Sequence, residues 1–285
     1  MKRNVFSTKN KTLIGKIFSY VILGIFAVYT IFPLMFLFIN SFKSQAEIGN
    51  SPLSLPSHWD FTYIENAFSQ INFSKSILIT AFVTIVSVAL IVVVSSLAAW
   101  MLVRNKSKVS SFLLMIFISA MLIPFQSVMY PLIDMADKFN MKNLFGLIIM
   151  YGGFGLSLSV FMYHGFIKSI PKSIEEAAII DGANIFQIFF HVVFPLLKST
   201  TVTVVILNAM WIWNDYLLPF QVLGNSELKT LTLELYFAKM QTSQFGNPWE
   251  LIFPAVLISI IPIIVVFLFL QKHIVKGVAD GALKS

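Results

Sequence analysis

No cysteine occurs among the 285 residues, which removes disulfides, thiolate nucleophiles and cysteine-ligated metals. Histidine is nearly as scarce. His58, His164, His191 and His273 stand apart, and no two are close enough to form a local metal motif. No G-x-x-x-x-G-K-[ST] phosphate loop is present, because Gly15-Lys16 lacks the upstream glycine. The chain is therefore expected to bind no ATP, metal or other cofactor of its own. Charge is short as well: Asp, Glu, Lys and Arg make up 12%, against about a quarter in an ordinary water-soluble domain. The net charge of +7 forms no continuous basic stripe or basic-aromatic platform, which argues against nucleic acid.

Apolar residues are what the chain has in excess, at 57% with 29 Phe, and the few charges gather in islands between long apolar runs. The environment this implies is a lipid bilayer. A spanning helix needs about 20 mostly apolar residues, and six segments qualify: 17–39, 77–103, 112–133, 144–166, 200–223 and 251–270. The expected fold is an all-α integral membrane protein of about six transmembrane helices, forming one transmembrane domain over 1–285. The basic leader (Lys2, Arg3, Lys9, Lys11, Lys16) precedes an apolar run too long for a signal peptide, and no small-x-small cleavage site follows it. With the N-terminus inside, 14 of the 20 Lys and Arg fall in cytoplasmic segments, so both termini are expected to be cytoplasmic. The outer loops are too small to form a receptor domain.

Several helix disturbers interrupt these spans: Pro33, Pro124, Pro131, Pro219, Pro254, Pro262 and the Gly152-Gly153-x-Gly155 cluster. They read either as tolerated kinks and close packing or as points where the bundle bends during a working cycle.

One inner loop, 168–198, is too long for a simple turn. Ser173 and Glu176 have capping-box spacing, which predicts a short helix from Ile174 to Asp181. Gly182 stops it by taking the left-handed conformation. Asn184 with Gln187 marks a second start running towards Pro195. The product is a helix–turn–helix at the membrane surface with a small, acidic tip: Glu175, Glu176, Ala177, Ala178 and Asp181.

This loop resembles E-A-A-x-x-x-G-x9-I-x-L-P, the cytoplasmic signature of permease subunits in binding-protein-dependent ABC importers. Glu176-Ala177-Ala178, Gly182 and Pro195 match in residue and spacing, while Val192 and Phe194 replace the aliphatic positions. The extension Asp181-Gly182-Ala183 is similar to the carbohydrate-uptake branch, in particular the second permease of maltose-type and multiple-sugar systems. Shorter echoes lie at Phe32 to Leu34, Ser41 to Lys43, Trp213 to Pro219 and Gly277 to Lys284.

The resemblance implies a type I permease fold, a non-catalytic role in importing a sugar or oligosaccharide, and a place in a bacterial cell membrane. It also implies partners: a second permease in a heterodimer, two cytoplasmic ATPase subunits that use ATP and Mg, and an extracytoplasmic sugar-binding protein. The loop helix would enter a cleft on the ATPase. Glu176 has two compatible roles, pairing with a basic group there or capping its own helix. The tail from Gln271 to Ser285 is either a lipid-facing terminus or a second contact with the ATPase pair. An ABC permease for a non-sugar solute and an ion-coupled secondary transporter are the alternatives. The latter calls for buried acid/base pairs or an inverted repeat.

Asp215 is the one acid well inside a predicted span, where charge is costly. On a helix, Asn208, Trp211 and Asp215 share a face while Trp213 points away. That face reads as part of a sugar pathway, with Gln126 a further candidate. Trp213 and Tyr216 read as interfacial aromatics.

Overall fold

The computed structural model describes residues 5–224, 226–242 and 246–282, with side chains omitted for 5–14, 241–242, 266, 267 and 269–282. Fourteen α-helices and one π-helical turn make up the described residues, and no strand occurs among them. They fall into two compact units.

The first unit holds α1 (Val5–Asn40), α2 (Gln45–Asn50), α3 (Thr62–Gln70) and the stretch Ala238–Ile258. The apolar residues of α1 between Ile17 and Phe38 are largely exposed, as expected of a helix whose solvent is lipid. Its end is different: Asn40, Ser41, Phe42 and Lys43 are all buried. The last carbonyls of a helix lack partners, and the loop that follows needs donors too. Asn40 Nδ2 donates to the Phe36 and Pro52 carbonyls, and Lys43 Nζ donates to the Ser51 carbonyl at 2.9 Å. The Ser41-Phe42-Lys43 echo thus closes the helix onto its own loop. Gln45 and Glu250 cap each other's helices. The Glu250 carboxylate accepts from the Gln45 amide at 3.0 Å, and Gln45 Oε1 accepts from the Trp249 amide at 2.7 Å.

The second unit holds α4 (Phe73–Arg104), α5 (Lys108–Ala120), α6 (Phe125–Lys138), α7 (Leu144–Ile167), α8 (Ser173–Ile180), α9 (Ile185–Gln187), α10 (Phe194–Leu196), α11 (Lys198–Asn214) and α12 (Leu217–Leu223). Two further helices, α13 (Leu231–Thr242) and α14 (Trp249–Ala282), contribute residues to both units. The core is the seam between α4 and α7, where small residues let backbones approach. A Cβ on Gly152 would strike Leu90, and one on Gly155 would strike Ile91 and Asn208, whereas Gly153 faces open space. The close-packing reading of this cluster therefore holds at two of its three glycines.

The six apolar segments all fall on helices, but not as six straight rods. By length and composition three helical stretches could cross a membrane: Gly15–Asn40 within α1, α4 and α7. The 112–133 segment is instead two helices, α5 and α6, bent by 104° at the break that Pro124 ends. The segment at 200–223 stops at Asn214 and resumes at Leu217, and α11 meets the preceding Ile185–Leu196 stretch at 78°. In the sixth, the apolar part is Trp249–Val265. Leader residues Lys2 and Arg3 and tail residues Leu283 to Ser285 lie outside the described residues, as do the tail side chains from Gln271 onward.

Gly155→Ala should lower the melting temperature of the detergent-solubilised chain, at a cost of about 1–3 kcal/mol for overpacking. Gly153→Ala should leave melting unchanged.

Candidate functional site

The loop from Lys168 to Lys198 folds as a hairpin of short helices. Its first helix, α8, begins one residue earlier than expected and lacks the predicted capping box. Lys172 already has helical backbone angles at the N-cap position, and no side chain caps there. The Lys172 carbonyl accepts from the amides of Glu175 and Glu176. Proline fixes φ near the helical value, so Pro171 favours this early start. At the other end the expectation holds. Gly182 has φ +84°, the Gly182 amide donates to the Ile179 carbonyl, and the Ala183 amide donates to Ala178. This is the Schellman arrangement. Asn184 and Gln187 form a capping box at the expected second start: Asn184 Oδ1 accepts from the Gln187 amide at 3.0 Å, and Gln187 Oε1 accepts from the Asn184 amide at 2.8 Å. A π-helical turn, Ile188–Val193, carries the chain to Pro195 in α10. Such turns often mark functional segments.

The two adjacent acids divide between inside and outside. Glu175, expected at the exposed tip, is buried. Its Oε1 receives Arg104 Nη2 at 2.6 Å and Arg104 Nε at 2.7 Å, and its Oε2 accepts from the Trp100 indole at 3.0 Å. Arg104 Nη2 also donates to the Ile170 carbonyl at 3.1 Å. The Trp100 ring lies 5.3 Å from Phe189, which is buried in the π turn. One end of α4 thereby grips both arms of the hairpin. Glu176, Ala177, Asp181 and Gly182 remain exposed, and Ala178 is half-buried. Nor is the tip small and acidic throughout. Ile179, Ile180, Ile185 and Phe186 are 59%, 85%, 55% and 70% exposed.

Sequence reasoning missed Trp100, Arg104 and the exposed isoleucines. Arg104 counts in the sequence only among the charges of the inner segments. One signal was available: on a 3.6-residue helix Glu176 and Ile180 stack four residues apart, on a stripe well round the helix from Glu175.

Asn208, Trp211 and Asp215 do share a side, but it packs against α7. The Asn208 amide is buried and donates to Ser159 Oγ and the Val204 carbonyl. Trp211 meets Tyr151 edge to face at 5.4 Å. Tyr151, not singled out from sequence, donates its hydroxyl to Asp215 Oδ2 at 3.0 Å. Asp215 is not inside a helix: it is the first residue past α11, in extended conformation. Its Oδ1 accepts from the Leu217 amide at 2.9 Å, and its carbonyl accepts from Thr232 at 2.7 Å. The carboxylate thus supplies partners where the helix breaks. Phe154, Gly155, Leu158, Leu207, Asn208 and Trp211 line a cleft of about 190 Å³. Gln126 stands exposed near the start of α6 and is not among those lining residues. Among the described residues no group of three or more His, Asp or Glu is placed to hold a metal.

Breaking the buried pair leaves one charge unpaired, so Arg104→Ala should destabilise the hairpin by about 3 kcal/mol. Hydrogen exchange of the amides from 173 to 181 should accelerate accordingly. Glu176→Ala should leave those amides unchanged.

Residues 91–280 match the family model described as "Binding-protein-dependent transport system inner membrane component". The chain is 40% identical over 253 residues to a probable starch degradation products transport system permease protein of Thermoanaerobacterium thermosulfurigenes, covering 89% of this chain and 91% of the relative. It is 32% identical over 279 residues to a multiple sugar-binding transport system permease protein of Streptococcus mutans, covering 97% and 100%. It is also similar to a chain in the crystal structure of a bacterial ABC transporter involved in the import of the acidic polysaccharide alginate. That match has a TM-score of 0.80 and 25% identity, over 95% of this chain and 99% of that one. The chain belongs to the family of inner-membrane components of binding-protein-dependent transport systems, and is a non-catalytic permease subunit of an ABC importer.

Proposed function

We propose that this permease carries a sugar or oligosaccharide into the cell, and that α8 transmits the closure of a cytoplasmic ATPase pair to the membrane helices. The carrying observation is the split between Glu175 and Glu176. The first ties α8 to Arg104 and Trp100 at the end of α4, and the second stands exposed beside Ile179, Ile180 and Asp181. A helix fixed on one side and bare on the other can be pushed as a rigid piece. Any force on the tip then reaches α4 through a charge-assisted hydrogen bond rather than through a slack loop.

The sugar reading draws on relatives named for starch degradation products, multiple sugars and melibiose, raffinose and stachyose. It is favoured over the ion-coupled alternative. On this reading both termini are cytoplasmic, as the excess of Lys and Arg in those segments suggests. The chain pairs with a second, different permease, and an external sugar-binding protein delivers the solute. ATP and Mg belong to the ATPase pair, and this chain binds neither. Asp215, Asn208 and Trp211 act on the pathway chiefly by holding α7 against α11, with Trp211 offering the exposed aromatic edge.

An ATPase should co-purify with the tagged chain. Glu176→Lys should weaken that association and sugar uptake by at least tenfold. Gly182→Asp should do the same, because a side chain at φ +84° strains the turn by about 1–2 kcal/mol. If both variants retain the ATPase and full uptake, α8 is not the coupling element. Competition of uptake by maltodextrins, raffinose or an amino acid tests the solute class separately.

A further inference from the structure

We propose that the cleft where α4, α5 and α7 end together holds the phosphate headgroup of an anionic phospholipid. The cleft measures about 820 Å³, within the range of ~300–1,000 Å³ typical of ligand sites. Lys106 enters it from the α4–α5 connection, Lys108 from the start of α5, and Lys168 and Lys172 from the segment after α7. Arg104 lines it as well but is committed to Glu175 and the Ile170 carbonyl. No Asp or Glu is among the lining residues. None of the four lysines makes an ion pair among the described residues, whereas Lys138 and Lys142 each have an aspartate partner.

Four unpaired ammonium groups around one cleft repel one another and raise its potential for an anion. The start of the 13-residue α5 opens into the same cleft and adds the positive end of its dipole. The Ser107 hydroxyl is used by the Ser110 amide at 3.1 Å, and the Ser111 hydroxyl, exposed on the same wall, donates to the Ser107 carbonyl at 3.3 Å.

A second observation selects a lipid over a free anion. Beyond its first turn α5 carries Leu114 on the cleft wall and, one turn further along the same face, Ile118, 38% exposed. This apolar track leads away from the basic cleft along the membrane helix. A ligand with an anionic head and acyl chains matches both halves, while inorganic phosphate or an acidic peptide matches only the head. Basic pockets between membrane helices are known to select anionic headgroups. The inference is independent of the sugar assignment; the proposed topology serves only to name the leaflet as cytoplasmic.

The test is native mass spectrometry of the full chain in mild detergent, titrated with phosphatidylglycerol, phosphatidylcholine or inorganic phosphate. Phosphatidylglycerol should be retained and phosphatidylcholine should not. Lys106→Ser with Lys108→Ser and Lys168→Ser should weaken phosphatidylglycerol by on the order of 100-fold, at about fivefold per charge. Lys138→Ser with Lys142→Ser should leave it unchanged. If the triple variant fails to fold, Lys168→Glu alone is read the same way. The site is overturned if the variants bind phosphatidylglycerol like the unaltered chain, or if phosphatidylcholine binds equally well. It is also overturned if inorganic phosphate displaces the lipid completely, which would mark a free-anion site. Sugar uptake lost without any change in lipid retention would concern the transport reading only.

Discussion

The Glu175 carboxylate, held between the Arg104 guanidinium and the Trp100 indole, is the contact on which the helical hairpin depends. A carboxylate buried without partners would be expelled or neutralised. Two charge-assisted bonds from Arg104 and one hydrogen bond from Trp100 supply those partners and fix its direction. It converts an eight-residue helix, too short to be stable alone, into an extension of the 32-residue α4. Phe189 against the same indole recruits the returning arm, so one tryptophan organises both halves of the hairpin.

The rest of the hairpin keeps its backbone satisfied in so small a space. Gly182 takes the left-handed angle that the reversal needs, and Asn184 and Gln187 pay the next helix's orphan amides reciprocally. The buried Ile188, Phe189 and Val193 of the π turn then seat the returning arm. With these constraints met internally, the outer face is free to present Ile179, Ile180 and Phe186 with Glu176 and Asp181.

Polar residues inside the apolar bundle follow the same logic. Where α11 breaks, Asp215 accepts from the Leu217 amide and the Tyr151 hydroxyl. Where α1 ends, Asn40 and Lys43 serve the loop carbonyls. In a low-dielectric surrounding an unpaired backbone group costs more than in water, so scarce polar side chains gather at helix breaks. That placement explains Asp215 without a sugar and limits how far it alone marks a pathway.

Composition and hydropathy were enough to read an all-helical membrane chain, because a bilayer demands long apolar helices whatever their packing. The spacing from Glu176 to Pro195 marked the hairpin, its glycine turn and the second start at Asn184, since caps and turns are local. Local rules could not tell which of two adjacent glutamates faces inward. That depends on Arg104 and Trp100, some 70 residues away in sequence. Nor could they bend the 112–133 segment by 104° or stop a helix at Asn214, because hydropathy reports apolar length and not direction. Sequence by itself determined the solvent, the helices and the position of the hairpin loop. Tertiary structure alone decided which side chains anchor that loop and which stand exposed, because a buried charge is tolerable only where its partners converge in space.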